Sequence, residues 1–222
     1  MSQRGDATFE DAVRRIYGRY VREVVEAFSF CPWALKARET GKVALRVCSQ
    51  DNWDVSWALR ETEQIAANDR FEIGILIFPR IDCDFAQFGR RVSELRQAHG
   101  ANHPSGAVPL AMAPFHPDGS RDVTSPGRLT SFVRRSPDPT VQLVRRSVLD
   151  AIRRNEQRGT DYIDLETTNI EQLLATPVTQ PIHQRVLEAN EATLGSVGTD
   201  AVECVLTAIA KDRDESYGRY LA

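Results

Sequence analysis

The stretch Phe71–Pro79, F-E-I-G-I-L-I-F-P, decides the fold of this chain. Its apolar residues follow one another almost without interruption, which is typical of a strand covered on both faces of a sheet. Two amphipathic helix patterns flank it in sequence. One begins at Asp54, and the other begins at Asp84 and ends at Gly100. We therefore expect a central strand with a helix before it and a helix after it.

Two further strand patterns lie on either side of this unit. V-A-L-R-V-C, from Val43, alternates as a half-buried strand does, and A-V-P-L-A-M-A-P-F-H-P, from Ala107, predicts a third strand with His116 at its end. Strands joined by helices indicate β-α-β units. The predicted fold class is α/β, a small, mostly parallel sheet flanked by helices, with a C-terminal helical segment. A ferredoxin-like α+β arrangement is the alternative.

The two ends of the chain carry helical patterns. Apolar spacing from Phe9 to Phe28 predicts one long amphipathic helix, which Pro32 ends. The pair Asp138-Pro139 is typical of an N-cap with proline at the first helical position, and it predicts a helix there.

The polar stretch beyond residue 155 is predicted to be helical as well. It is expected to hold a short helix after Thr168 and two more near residues 180–194 and 200–211. We divide the chain into an α/β core domain, residues 1–155, and a helical segment, residues 156–222, packed on that core.

The composition is that of an ordinary globular protein. Hydrophobic residues make up 41% and charged residues 27%, with a net charge of −3, so we expect no nucleic-acid or membrane partner and predict a small-molecule substrate. The four cysteines form no C-x-x-C pair, and no apolar N-terminal segment indicates a signal peptide. These features predict a cytoplasmic protein with free thiols, and they leave a homodimer open.

Cys31 and His116 are the main candidates for a catalytic or metal-binding pair. Cys31 lies at the corner that follows the first helix, in F-C-P-W, and His116 ends a strand at the edge where α/β sheets bind ligands. Three chemistries suit such a pair: a thiolate nucleophile activated by imidazole, a site for a soft or borderline metal, and axial ligation of haem iron. A buried, inert cysteine is the structural alternative. His103, in a loop, is a further candidate metal ligand, whereas His99 is expected at the surface and His183 in a helix.

Arginines near the third strand are candidate anion ligands. Arg134, Arg135 and Arg145 could hold a carboxylate, a phosphate or a haem propionate through paired hydrogen bonds. A solvated face is the alternative for them. Trp33 and Phe115 would supply apolar walls next to Cys31 and His116.

Four motifs of the chain resemble an uncharacterised bacterial family, domain of unknown function 1415. The motifs are F-C-P-W-A, P-F-H-P, R-R-S-P-D-P-T-V-Q-L-V-R-R and E-A-N-E-A-T-L, in the order and rough spacing of the family from Phe30 to about Leu194. The matching positions are Cys31, Pro32, His116, Pro117, Arg135, Pro137, Pro139, Arg145, Glu188 and Asn190. The chain departs from the family at Arg134, Gln142 and Arg146, where the family has asparagine, histidine and glutamate.

A fainter resemblance links the chain to the YqcI/YcgG-like proteins, some of which look like small haem-dependent oxygenases. It implies a haem- or metal-dependent oxygenase that acts on a small amine- or carboxylate-bearing metabolite, with haem as cofactor. A cofactor-free Cys/His thiol enzyme and a non-enzymatic module that binds an anion or nucleotide are the alternatives from the residues themselves.

Overall fold

A computed structural model describes residues 3–31, 33–157 and 182–221 of the chain, and it has one four-stranded sheet with helices on both faces. The strands are β1 (Val43–Val47), β2 (Ile73–Ile77), β3 (Leu110–Phe115) and β4 (Thr140–Arg145). The helices are α1 (Gln3–Tyr20), which continues as a π-helix (Val21–Glu26), α2 (Ala34–Glu39), α3 (Val55–Ala66), α4 (Phe85–Ala101), α5 (Pro126–Val133), α6 (Arg146–Gln157), α7 (Ile182–Val197) and α8 (Thr199–Leu221). The predicted α/β class with C-terminal helices is confirmed.

The sheet is mixed because its last strand inserts between two earlier ones. Its order is β1-β2-β4-β3; β1 pairs parallel with β2, and β4 pairs antiparallel with both β2 and β3. The first three strands therefore run in one direction as expected, but two of the three strand pairs are antiparallel, so the sheet is mixed rather than mostly parallel. Helix α4 lies between β2 and β3 in sequence, so the chain lacks the direct strand-to-strand connection of the ferredoxin-like alternative.

The prediction of a helix from Pro139 was wrong for its first part. Residues Thr140–Arg145 form β4, and helix α6 begins only at Arg146. Val141 and Leu143 are fully buried on one face of the sheet, so their spacing of two residues determines the conformation. The Asp138 side chain does not cap a helix; it accepts a hydrogen bond from the Tyr217 hydroxyl at 2.8 Å.

Strand β2 separates two hydrophobic clusters, which explains its continuous apolar sequence. Ile75 and Ile77 face a cluster built from α1, α5 and the C-terminal helices, whereas Leu76 faces a cluster built from α3 and α4. We call these the α1 side and the α4 side. Leu194 of α7 and Val202 and Ile209 of α8 belong to the α1-side cluster, so both C-terminal helices pack on the core.

Local capping accounts for several helix starts. Helices α3 and α4 begin after Asp54 and Asp84, as the sequence predicted. The Asp54 carboxylate accepts from the backbone N–H groups of Ser56 and Trp57, and Asp84 forms a capping box with Gln87. The helix expected after Thr168 lies outside the described residues.

Within the described part of the chain, no single helix is long and apolar enough to cross a membrane; α7 and α8, bent by 91° at their junction, pass that test only when taken together.

Candidate functional site

The corner that carries Cys31 departs from regular geometry in two ways. Helix α1 continues as a π-helix, in which Ala27 N–H and Phe30 N–H bond to carbonyls five residues earlier. Ser29 then has φ of 54°, a left-handed conformation that is uncommon for a residue other than glycine. π-Helical turns and left-handed residues cluster at functional sites, where the surrounding structure holds them in place.

The Cys31 sulfur lies among two tyrosines and two backbone donors. The backbone N–H groups of Trp33 and Ala34, at the start of α2, donate hydrogen bonds to the sulfur. Tyr17 and Tyr20 of α1 interact with it electrostatically. Burial raises the pKa of the Cys31 thiol above its usual value, and the two backbone N–H groups offset only part of that effect. The sulfur is therefore a protonated thiol at neutral pH.

Arg134, at the end of α5, is a half-buried cation close to Tyr20. Its guanidinium carbon lies 5.8 Å from the centroid of the Phe115 ring, and it interacts electrostatically with Tyr20. Burial lowers the pKa of Arg134, because water is partly excluded around the charge. Within the described residues the Arg134 side chain has no hydrogen bond and no acidic partner.

The Tyr20 hydroxyl is also without a partner. Tyr20 is 1% exposed, and no described group lies within hydrogen-bond distance of its oxygen. Arg135 differs from its neighbour, because its guanidinium forms an ion pair with Glu203 of α8, although its Nε atom stays buried and unpaired. We call Tyr17, Tyr20, Cys31, Phe115, Arg134 and Arg135 together the Tyr20 cluster.

His116 lies on the other side of the sheet from the Tyr20 cluster. Its ring packs on Phe85 and Phe88 of α4, at centroid distances of 6.2 and 5.7 Å. Phe115, one residue earlier, faces Arg134 on the α1 side. Cys31 and the two arginines Arg134 and Arg135 therefore share Tyr20 as an electrostatic neighbour, whereas no contact among the described residues joins Cys31 to His116.

The cysteine that does meet His116 is Cys83, which follows β2. The Cys83 Sγ atom is 4.0 Å from His116 Nε2, and the backbone N–H of Asp118 donates to His116 Nδ1 at 3.1 Å. Because burial lowers the pKa of His116, the ring is neutral, and its proton sits on Nε2, facing the sulfur. In this tautomer the Nε2–H group faces Cys83, whose backbone also accepts a hydrogen bond from the ring. The role of His116 as a base toward Cys31 stays a prediction.

Three other residues singled out in the sequence lie away from the Tyr20 cluster. Arg145 clamps the end of α3 by donating to the carbonyls of Ile65, Ala66, Asn68 and Phe71. His103 contacts Glu63, and so does His99, whose side chain is fully buried. The expectation of a surface His99 was therefore wrong: the residue faces α3 rather than solvent. The side chain of His183 lies outside the described part of the chain.

The profile of a family described as "Protein of unknown function (DUF1415)" matches residues 12–183. The chain belongs to this family. Searches of the curated proteins and of the solved structures returned no match. The resemblance to this family is thus confirmed: three of the four motifs lie within the matched residues, whereas the fourth, E-A-N-E-A-T-L at residues 188–194, lies beyond them.

Tyr20 in the cluster and Cys83 beside His116 were not identified as functional candidates from the sequence. Tyr20 fits the apolar stripe of α1 and looks like a core residue, since its lack of a hydrogen-bond partner is a three-dimensional property. Cys83 comes directly before the α4 cap Asp84, and only the insertion of β4 next to β3 fixes its distance to His116.

Proposed function

We propose that this DUF1415 protein binds a small metabolite through a carboxylate or phosphate group at the Tyr20 cluster. The observation that carries this proposal is the Arg134 guanidinium, half-buried and without an acidic partner among the described residues, next to the unpartnered Tyr20 hydroxyl. This is the anion-binding function that the sequence left as an alternative.

The energetic reason is the cost of an unsatisfied polar group. A buried donor without an acceptor destabilises a fold by about 1–3 kcal/mol, and a charged donor by more. A ligand carboxylate between Arg134 and Tyr20 would accept from both groups and remove that cost. Arg135 is already neutralised by Glu203, so Arg134 supplies the uncompensated positive charge.

The surroundings of this charge favour a ligand with an apolar or planar body. Arg134 lies over the Phe115 ring, and Tyr17 and Tyr20 have ring centroids 5.6 Å apart. Aromatic walls combined with a few polar groups are the usual lining of small-molecule sites. We therefore expect a small organic acid or phosphate ester rather than a bare inorganic ion.

Cys31 makes an enzyme the second candidate. The left-handed Ser29 and the π-helix hold the thiol at a corner beside Tyr20, where it would react with, or ligate, what the cluster binds once that ligand allows the thiol to lose its proton. The oxygenase function implied by the fainter resemblance would use the same residues: Cys31, after loss of its proton, would hold a haem and Arg134 a propionate, and the haem would supply oxygen activation.

The test combines ligand binding with the stability of the free protein. Tyr20→Phe should raise the free energy of unfolding of the ligand-free protein by about 1 kcal/mol, because it deletes an unsatisfied hydroxyl. The same change and Arg134→Ala should weaken ligand binding, Arg134→Ala by about 10- to 100-fold, since a charge-assisted hydrogen bond is lost. Urea unfolding and titration calorimetry with succinate, citrate, glycerol phosphate and haemin measure both effects.

Arg121→Ala is the matched control, because Arg121 is exposed in the loop between β3 and α5. It should leave both quantities unchanged. If Tyr20→Phe lowers stability instead, the hydroxyl has a structural partner and the proposal fails. A Soret band that appears with haemin and is lost in Cys31→Ala would favour the oxygenase over binding alone.

A further inference from the structure

A second polar cluster lies between α3 and α4. Glu63 Oε1 is 2.8 Å from His99 Nδ1, and Glu63 Oε2 is 3.1 Å from His103 Nε2. The Asn102 amide donates to Glu63 Oε1 at 3.0 Å. One carboxylate of α3 is thus held by three residues at the end of α4.

The donor atoms of this cluster converge on a small volume. One ligand atom from each of Glu63, His99 and His103 lies within 4.8 Å of the other two. Ligand atoms on a tetrahedral ion with bonds of about 2.1 Å lie roughly 3.4 Å apart. Small side-chain adjustments would therefore bring all three donors to bonding distance of one ion.

The burial of His99 argues against a chance surface contact. Its side chain is fully buried, and its Nδ1 atom is directed at the Glu63 carboxylate. His103 and Glu63 are 28% and 29% exposed, so an ion can reach the cluster from solvent. One buried imidazole together with two solvent-accessible ligands gives a preformed metal site that an ion can enter from solvent.

We propose that Glu63, His99 and His103 bind a divalent transition-metal ion, for which zinc is the best fit. Two imidazole nitrogens and one carboxylate oxygen form a three-ligand set typical of zinc, with a fourth position left for water. Asn102 orients the carboxylate from outside the coordination sphere.

The metal site is independent of the Tyr20 cluster. His103 precedes β3, whereas Phe115 ends that strand, so the two sites lie at opposite ends of β3. The ion joins α3 to the loop that leads into β3. The bound ion would hold these two elements in a fixed relative position. The proposed metal site does not depend on the anion-binding function proposed for the Tyr20 cluster.

The experiment is titration of the chelator-treated full-length protein with zinc and with cobalt(II). We expect one high-affinity ion per chain, a rise in melting temperature with zinc, and a visible cobalt spectrum without sulfur-to-cobalt charge transfer, because no cysteine ligates. Glu63→Gln and His103→Gln should weaken binding at least about 100-fold, since each removes a ligand. Both variants keep a side chain of similar size, and circular dichroism without metal checks their fold.

Glu94→Gln is the matched control, because Glu94 is an exposed carboxylate on the same helix α4. It should bind zinc as the unmodified protein does. The proposal is overturned if the unmodified protein binds neither ion at micromolar concentration. It is equally overturned if the two ligand variants bind as tightly as the control, or if cobalt shows thiolate charge transfer.

Discussion

At the scale of single residues, Asp138 shows how burial changes the meaning of a sequence signal. The residue precedes proline and looks like a helix cap, but it is 2% exposed and accepts from Tyr217 at 2.8 Å. Burial raises the pKa of Asp138 to about 6, and the nearby Arg213 and the Tyr217 hydrogen bond offset only part of that effect. Ionised Asp138 is therefore costly to keep inside the fold.

This cost makes the stability of the protein depend on pH. A carboxyl whose pKa is higher in the folded than in the unfolded state favours folding when protonated, so stability falls as pH rises from about 4 to about 6. Asp138→Asn should remove this fall and raise the free energy of unfolding at pH 7 by up to about 3 kcal/mol. Urea unfolding between pH 4 and 8 measures it.

The control for this change is Asp11→Asn, at an exposed position on α1. It should leave the pH profile of stability unaltered. A loss of stability in Asp138→Asn at pH 7 would mean that the ionised carboxylate, through Arg213, stabilises the fold.

At the scale of elements, α3 approaches the sheet through a glycine. A Cβ atom at Gly74 of β2 would lie 3.0 Å from Ile65 Cδ1 of α3 and 3.0 Å from Leu143 Cδ1 of β4. Both neighbours are buried and have little room to move. The absence of a side chain at this one position therefore sets the distance between helix and sheet.

Gly74→Ala should destabilise the protein by about 1–3 kcal/mol, the usual range for overpacking a core. Gly89→Ala is the opposite case: Gly89 lies inside α4 and a Cβ there meets nothing within 4 Å, so the change should stabilise by about 0.5–1 kcal/mol. Thermal and urea unfolding of the two variants, side by side, give the comparison. Equal effects of the two changes would contradict the close approach of α3 to the sheet.

The elements also show how far the sequence carries the fold. The three strands β1 to β3 and the helices between them follow from apolar periodicity and from the caps Asp54 and Asp84, which are local signals. Strand β4 was missed because T-V-Q-L-V-R-R suits a helix as well as a strand, and only the gap between β2 and β3 selects the strand. The sequence predicted four residues of the Tyr20 cluster, Cys31, Phe115, Arg134 and Arg135, as candidates. It could not predict their grouping around Tyr20, because that grouping depends on contacts between residues far apart in sequence.

At the scale of the whole molecule, the first and last helices are joined by charge. Asp212 of α8 accepts from the Arg15 guanidinium of α1 through two hydrogen bonds, at 2.8 and 2.7 Å, and it also pairs with Arg19. The hydrogen bond from Arg15 holds the pKa of Asp212 below its usual value despite partial burial. This ion pair fastens the C-terminal helix to α1 over a sequence separation of 197 residues.

Asp212→Asn should lower the free energy of unfolding at pH 7 by about 1 kcal/mol, because two arginines lose their shared carboxylate. The difference should begin to shrink as pH falls below about 4, the unfolded pKa of aspartate, and should be lost only as pH falls through the lowered folded pKa, so it should be smaller at pH 3 than at pH 7. Chemical unfolding at pH 7 and at pH 3 tests both statements.

Glu215→Gln serves as the comparison, because among the described residues Glu215 has just one ion pair, an exposed one with Lys211 on α8. It should change stability by less than about 0.5 kcal/mol. A similar loss in both variants would show that the α1–α8 pair contributes no more than an ordinary surface pair.

The late insertion of β4 between β2 and β3 has a consequence for synthesis on the ribosome. Until residue 145 has left the exit tunnel, the inner edges of β2 and β3 expose unpaired backbone groups, which are templates for pairing with other chains. The nascent chain can form the β1–α3–β2 unit early, but the sheet closes only in one late step. A translational pause before that step would lengthen the time during which aggregation or chaperone capture competes with folding.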